Sequence, residues 1–385
     1  MKVLRVIPSM DPTKGGPSEG IRQIQKEIYN QRIDMECDIV SLDPIESDFE
    51  VNKDLNIISL GNGKTSYSFS TKLKKWLQQN IVKYDLVIIH GIWQYHSHIA
   101  SLECRNKKVP YYVYTHGMLD PWFRKKYPLK HLKKLGYWLL VEKNVINNAQ
   151  AVIFTCEEER ILARQSFPFY HPEERVTTYG TAGCKFEQSH TLQLFYDRYP
   201  TLKGKKIILF MGRIHEKKGC DILLESFSNI LSGQDDFHLF FAGPDDSHYA
   251  RKIKDECDRL NLGKYVTWGG MLQGEIKWGA YNASYLFCLP SHQENFGIVV
   301  AEALSCSLPV IISNKVNIWR EIETEKAGLV SNDTVESFSK KLSEFITLKD
   351  QAIHDYKTHA LNCYEKYFDI SNVASTFYKI ISRKE

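Results

Sequence analysis

Residues able to grip a phosphate follow the apolar run Lys206–Met211, where the chain reads Gly212-Arg213-Ile214-His215-Glu216-Lys217-Lys218-Gly219. Arg213 offers a planar fork of donors and Lys218 a flexible ammonium, a combination that suits a diphosphate. The plain alternative is two solvated charges on a loop. A second cluster, Glu294-Asn295-Phe296-Gly297, follows the run Tyr285–Leu289 and opens an apolar stretch that contains Glu302. At 1.5 Å per residue, Glu294 and Glu302 would stand ~12 Å apart along a helix axis. Glu302 lies inside GIVVAEALS, where an unpaired carboxylate is costly. It therefore needs a partner, and ligand hydroxyls would serve. A surface Glu on a polar stripe is the alternative.

Two weaker signals sit in the first half. Gly15-Gly16-Pro17 follows an apolar run and precedes an amphipathic stretch. Glycines let a backbone approach a ligand, and a helix start favours an anion. The pattern is not G-x-G-x-x-G, so a dinucleotide is not indicated. Tyr114-Thr115-His116-Gly117 ends another apolar run. As a neutral imidazole, His116 can give or take one hydrogen bond with a hydroxyl. A core histidine bonded to backbone is the alternative. There is no H-E-x-x-H, no Cys/His metal spacing, no D-x-D and no G-x-S-x-G. Neither a metal site nor a serine nucleophile is legible, and no cofactor is implied.

These residues need elements to hold them. The chain has 385 residues, enough for two domains at roughly 100–200 residues each. It is 43% hydrophobic and 25% charged, as an ordinary globular protein is. A net charge of +4 gives no basis for a nucleic-acid partner. Nine scattered cysteines without a C-x-x-C read as reduced thiols in a cytoplasmic protein. The N-terminus lacks a secretory apolar region, since its short run carries Arg5, and no stretch of ~18 apolar residues predicts a membrane-crossing helix.

Short apolar runs recur at Val3–Ile7, Asp38–Leu42, Ile57–Leu60, Leu86–His90, Tyr111–Thr115 and Ala151–Thr155. They return at Lys206–Met211, His238–Ala242, Tyr265–Trp268, Tyr285–Leu289 and Pro309–Ser313. Near-continuous apolar strings point to strands buried on both faces of parallel sheets. Amphipathic stretches between them, such as Gly20–Tyr29 and Cys220–Leu231, complete βαβ units. The pattern runs twice and predicts an α/β protein of two Rossmann-like, doubly wound domains facing across a cleft. The expected domains are 1–190 and 200–367, with a linker in Gly183–Lys205. Ligands in such sheets bind outside the carboxyl ends of the strands.

With these residues in order, the chain resembles the retaining glycosyltransferases of family 4, which have the two-domain GT-B fold. The carriers are GGP at Gly15–Pro17, THG at Thr115–Gly117, GRIHEKKG at Gly212–Gly219, FAGP at Phe241–Pro244, and the E-x₇-E from Glu294 to Glu302. The resemblance implies a nucleotide diphosphate sugar donor and metal-independent transfer with retention. It implies that Gly15 and Gly16 approach the donor phosphates and that Arg213 and Lys218 hold the diphosphate as it leaves. Glu302 would bind the ribose, and Glu294 would lie by the sugar with the Asn295–Phe296–Gly297 backbone. His116 would contact the transferred sugar and Met271 would lie by the base. It also implies domain closure that excludes water, and a last helix, about 368–385, that returns to the first domain. Where many members have an Asn-Gly turn at the end of the first domain, this chain reads Thr178-Tyr179-Gly180.

For the acceptor side, Trp93 in the segment His90–His96 and Asp120 are the candidates, although the aromatics of that segment mostly read as core. The stretch 122–140 combines Arg124, Lys125, Lys126, Lys130, Lys133 and Lys134 with Trp122, Phe123, Tyr127, Tyr137 and Trp138, and has no carboxylate. It reads as an interfacial segment for anionic lipid. A solvated helix face is the alternative; the resemblance implies acceptors met at the cytoplasmic leaflet, so the partners expected are the donor, a glycan or polyprenyl-linked acceptor, and the inner face of the cell membrane, with no nucleic acid. The competing readings are a nucleotide-sugar epimerase of the same fold and a non-catalytic nucleotide-sugar-binding protein.

Overall fold

The computed structural model describes residues 1–12, 16–45, 55–122, 124, 128–231 and 236–382. The chain forms two compact units, Met1–Gly180 with Ile370–Glu385, and Thr181–Asp369. The first is built on β1 (Lys2–Ile7), β2 (Glu36–Ser41), β3 (Asn56–Ser59), β4 (Leu86–His90), β5 (Tyr111–Tyr114), β6 (Ala151–Phe154) and β7 (Glu174–Val176). They form one sheet in the order β3-β2-β1-β4-β5-β6-β7. The second unit holds β8 (Lys206–Met211), β9 (Phe237–Ala242), β10 (Val266–Gly270), β11 (Ser284–Leu289), β12 (Val310–Ser313) and β13 (Gly328–Ser331), in the order β10-β9-β8-β11-β12-β13. The pairings are parallel. Two parallel-sheet, Rossmann-like units are thus the observed fold class.

Parallel register needs crossover connections, and helices over both faces explain why the strands read as unbroken apolar runs. Ile207 to Phe210 and Leu86 to Ile89 are almost wholly buried. The first sheet is less uniform than its sequence suggests. Leu4, Val6, Val87, Ile89, Tyr111 and Val113 pack into one apolar layer. The alternate positions Arg5, His90, Tyr112 and Tyr114 are equally buried and face the other way, by the strand period of two.

Three expectations need correction. The chain divides after Gly180 and after Asp369, not between 190 and 200 and at 367. Much of the expected linker is the helix Gln188–Arg198, which buries Thr191 and Phe195. Its contact with the helix Gly274–Ala283 is so close that a Cβ on Gly279 would strike the Thr191 carbonyl. β7 and β13 fell outside the apolar runs because each is short and partly exposed. The last helix, Ile370–Ser382, belongs to the first unit, where Gln31 Nε2 donates to the Ser371 carbonyl at 2.9 Å and Ser375 Oγ donates to Gln31 Oε1 at 3.0 Å.

Candidate functional site

In the second unit the chain winds from β8 to β9 to β10, then crosses back to place β11 beside β8. The reversal opens a crevice at the carboxyl ends of β8 and β11. Both phosphate-type clusters follow those two strands. After β8, Glu216–Lys218 make a single 3₁₀ turn, and Gly219 starts the helix Cys220–Ile230 with φ 66°. A side chain at Gly219 would be strained at that φ and would meet the Pro290 carbonyl after β11. The two loops are also tied by the His292 N–H donating to the Lys217 carbonyl at 2.8 Å.

This close approach brings Lys218 Nζ onto Glu294 Oε2 as an ion pair. Both side chains keep about a fifth of their surface exposed, 21% and 18%. Burial first, and the neighbouring Arg213 guanidinium second, push the Lys218 ammonium down to about 8. Arg213 itself is exposed at the same rim. Glu294 is fixed through its backbone: its N–H donates to the Lys315 carbonyl at 2.9 Å, and its carbonyl accepts from the Asn317 N–H at 3.0 Å. Asn295 follows in the loop. Phe296 turns into the core, edge-on to Phe368 at 5.7 Å, so only its backbone faces the loop. Gly297, with φ 76°, opens the helix Ile298–Ser305. Met271, just after β10, is 59% exposed.

Glu302 is buried, and the partners it was expected to need include two from within the protein. Lys277 Nζ donates to Oε1 at 2.8 Å and Tyr281 Oη to Oε2 at 2.9 Å. Lys277 and Tyr281 are four residues apart on one helix face, a spacing visible in the sequence and passed over there. A cavity of about 420 Å³ in this unit lies elsewhere, by Ser284 and Leu308 at the opposite ends of β11 and β12.

In the first unit the switch falls between β1 and β4. Gly15 lies outside the described residues. Gly16 begins the helix Gly16–Asn30, and a Cβ there would meet nothing within 4 Å. The fold itself does not need a glycine at that position. His116 follows β5 with a left-handed φ of 50°. Both its ring nitrogens are engaged: Nε2 with His90 Nδ1 at 3.1 Å, and Nδ1 with Tyr179 Oη at 2.8 Å. The expected side-chain hydrogen bond to a sugar is therefore not free to form in this arrangement. Burial, then His96 and Arg5, lower the His116 imidazole to about 3, so it is neutral near pH 7. Glu159 fastens the turn around it. Its carboxylate accepts from Thr115 Oγ1 (2.7 Å), the Gly117 N–H (2.6 Å), and the Thr155 N–H and hydroxyl (2.8 and 2.7 Å). Sequence reasoning missed Glu159 because three consecutive glutamates, Glu157 to Glu159, look like a solvated helix start.

The acceptor-side candidates are partly spent on structure. Trp93 packs against Phe167 at 5.1 Å, donates from Nε1 to the Met118 carbonyl at 3.1 Å and carries Lys134 over its ring at 4.6 Å. Asp120 Oδ1 accepts from the Trp122 N–H at 2.8 Å. Within 122–140, Phe123, Lys125, Lys126 and Tyr127 lie outside the described residues. Trp138 is completely buried, so it is not interfacial, and Tyr137 is half-buried with its hydroxyl on that of Tyr67. The helix Pro128–Tyr137 buries no residue. Leu129, Leu132 and Leu140 are 85%, 66% and 80% exposed, beside exposed Lys130 and Lys133. Among the described residues no helix is long and apolar enough to cross a membrane, and no three His, Cys, Asp or Glu side chains are grouped to hold a metal.

The two units match two sequence families. Residues 196–360 match the group 1 glycosyl transferases, and residues 35–178 match Glycosyltransferase Family 4. The chain is a family 4-type member of the GT-B glycosyltransferases. An uncharacterized glycosyltransferase of Methanocaldococcus jannaschii is 30% identical over 125 residues, 32% of this chain and 31% of that protein. The chain thus spans about a third of the length of such curated relatives. Among solved structures, sucrose-phosphate synthase of Thermosynechococcus elongatus is 20% identical with a TM-score of 0.74, covering 99% of this chain and 98% of that one. Anabaena HepE in complex with UDP-glucose is 15% identical with a TM-score of 0.75, covering 100% of both chains. At these identities the structures speak to the fold. The Arg213, Lys218, Glu294 and Glu302 positions of this glycosyltransferase all fall within the group 1 match, and His116 within the family 4 match.

Proposed function

We propose that the second unit binds a nucleotide diphosphate sugar at the carboxyl ends of β8 and β11, and that the chain transfers the sugar to a glycan or lipid-linked acceptor with retention. The observation that carries this reading is the pairing of Lys218 with Glu294 beside the exposed Arg213. Arg213 and Lys218 take the diphosphate oxygens and stabilise the charge that develops there as the anomeric bond parts. Glu294, held by Lys218, lies at the sugar. Glu302 keeps lone pairs beyond its two protein bonds and takes ribose hydroxyls. The Asn295–Gly297 backbone supports sugar and phosphate, and Met271 lies by the base. Charge neutralisation by side chains makes a divalent ion unnecessary. The UDP-glucose bound by Anabaena HepE supports this donor class.

For the first unit the reading keeps Gly15 and Gly16 as phosphate-side residues, His116 as a sugar-side residue acting through the Thr115–Gly117 turn rather than its ring nitrogens, which are already engaged, and Trp93 and Asp120 as acceptor-side residues. Exposed leucines flanked by lysines on 128–140 support docking to an anionic membrane, because a merely solvated face would not present them. The test is a panel of UDP-, GDP- and ADP-sugars, with and without acceptor and with EDTA. Transfer that survives EDTA supports the reading. Collapse under EDTA, or isomerised donor without transfer, overturns it.

A further inference from the structure

The first unit buries a guanidinium that packing alone does not explain. Arg5, on β1, is 1% exposed; among the described residues its Nε and Nη2 meet no nitrogen or oxygen acceptor, and the Cys37 thiol is the group beside them. Its guanidinium carbon lies 4.8 Å from the Phe377 ring centre, a cation–π contact that offsets part of the desolvation. Replacing a buried charge by an apolar group of similar volume is often neutral or stabilising, so a buried cation here points to a purpose.

The third nitrogen shows what it is. Arg5 Nη1 lies 3.2 Å from His90 Nε2. Arginine only donates, so His90 Nε2 accepts and the His90 proton sits on Nδ1. That proton is donated to His116 Nε2 at 3.1 Å, which leaves the His116 proton on Nδ1, donated to Tyr179 Oη at 2.8 Å. One donor-only group at the start thus sets the direction of every later link. The rings lie nearly parallel, His90 to His116 within 13° and His116 to Tyr179 within 12°. Gly20 makes room at the far end, since a Cβ there would come within 2.7 Å of Tyr179 Cε1.

We propose that Arg5 is a positioning residue for His116: by donating to His90 it fixes the Nδ1–H tautomer of His116 and the single arrangement in which the Thr115–Gly117 turn is presented. Its consequence for transfer rests on the reading of His116 as a residue at the sugar; the placement of the proton does not. The groups that face His116 are Arg5 from β1, His90 from β4, His96 from the helix Tyr95–Lys107, Tyr114 from β5, and Tyr179. Glu159 bonds the residues on either side of it, and Cys37 lies by Arg5. Arg5 also disfavours a charge on His90 and His116.

The test is nitrogen-15 NMR of the full chain labelled at histidine, from pH 4 to 8. His90 and His116 are expected as Nδ1–H tautomers. His96 is the internal contrast, because its Nε2 donates to the His90 carbonyl at 2.9 Å. In Arg5→Met the His116 tautomer becomes mixed and its titration moves up, though burial and His96 still hold it below the usual imidazole range, and kcat changes while the donor KM stays unchanged. Arg5→Lys keeps a donor and a charge and restores the parental pattern. An Nε2–H His116 in the parental chain, or an unaltered His116 in Arg5→Met, overturns the proposal. If Arg5→Met does not fold, the parental tautomers together with Arg5→Lys decide it. Tautomers as expected in a chain that transfers no sugar would leave Arg5 its role and remove the transferase reading instead.

Discussion

At the strand ends of the first unit, polar groups are spent on one another. His116 has both nitrogens engaged, Glu159 accepts four hydrogen bonds, and Arg5 is sealed in. At the corresponding ends in the second unit, charges are left partly in solvent: Arg213 exposed, and Lys218 and Glu294 paired at the rim. The sheets share a topology around their switch points, yet one carries a buried network and the other leaves its charges at a solvent-exposed rim. A buried network holds a shape. A solvent-exposed rim has free energy left for a ligand, because binding an anion replaces water on its donors with charge-assisted hydrogen bonds.

That contrast predicts that changes at the Lys218 rim cut activity and spare stability, whereas changes to the buried Glu159 network cost stability first. The largest effect is expected from Lys218→Ala, a loss of about 10²–10³ in kcat, comparable to removing a donor aimed at a developing oxyanion. Its thermal unfolding should match the parent; parental turnover would end the phosphate assignment. Next, Glu159→Ala strips an acceptor from four buried donors and should cost about 3 kcal/mol or more in urea unfolding. A stability loss below the error of that measurement would break the comparison.

Third comes a pH effect. Burial raises the Glu142 carboxyl to about 8, where among the described residues it accepts from the Trp93 N–H at 3.2 Å and Ser97 Oγ at 3.4 Å. Its folded pKa lies above its unfolded one, so between about pH 4.5 and 8 the folded state holds a proton that the unfolded state lacks. Stability therefore falls as pH rises through that window, by at most about 1.4 kcal/mol per unit, and Glu142→Gln should flatten the slope. In the second unit the sign concerns binding. Above pH 8 Lys218 sheds its proton, so diphosphate affinity should fall and binding should take up a proton, read by calorimetry in two buffers. The smallest effect is Gly16→Ala: open space around Gly16 predicts unchanged stability, with a donor KM raised a few-fold if phosphates pack there.

Legibility in the sequence was uneven for physical reasons. Strands buried on both faces announce themselves, and the runs at Leu86–His90 and Lys206–Met211 coincide with β4 and β8. β13 is short and its middle is half-exposed, so its signal is weak. Arg213 and Lys218 were readable because a loop after an apolar strand has few other reasons to hold them. The partners of Glu302 and His116 were not, since Lys277, Tyr281, His90 and Tyr179 lie 21 to 63 residues away.

By itself the sequence determined the fold class, the family and the loops that carry the charges, because strand period, turn residues and motif order are local properties of the chain. Only the tertiary structure decided which charges meet. It paired Lys218 with Glu294, closed Glu302 on Lys277 and Tyr281, and strung Arg5, His90, His116 and Tyr179 into one directed chain. Such pairings depend on which strands lie side by side, and hydrogen bonds reach only about 3 Å.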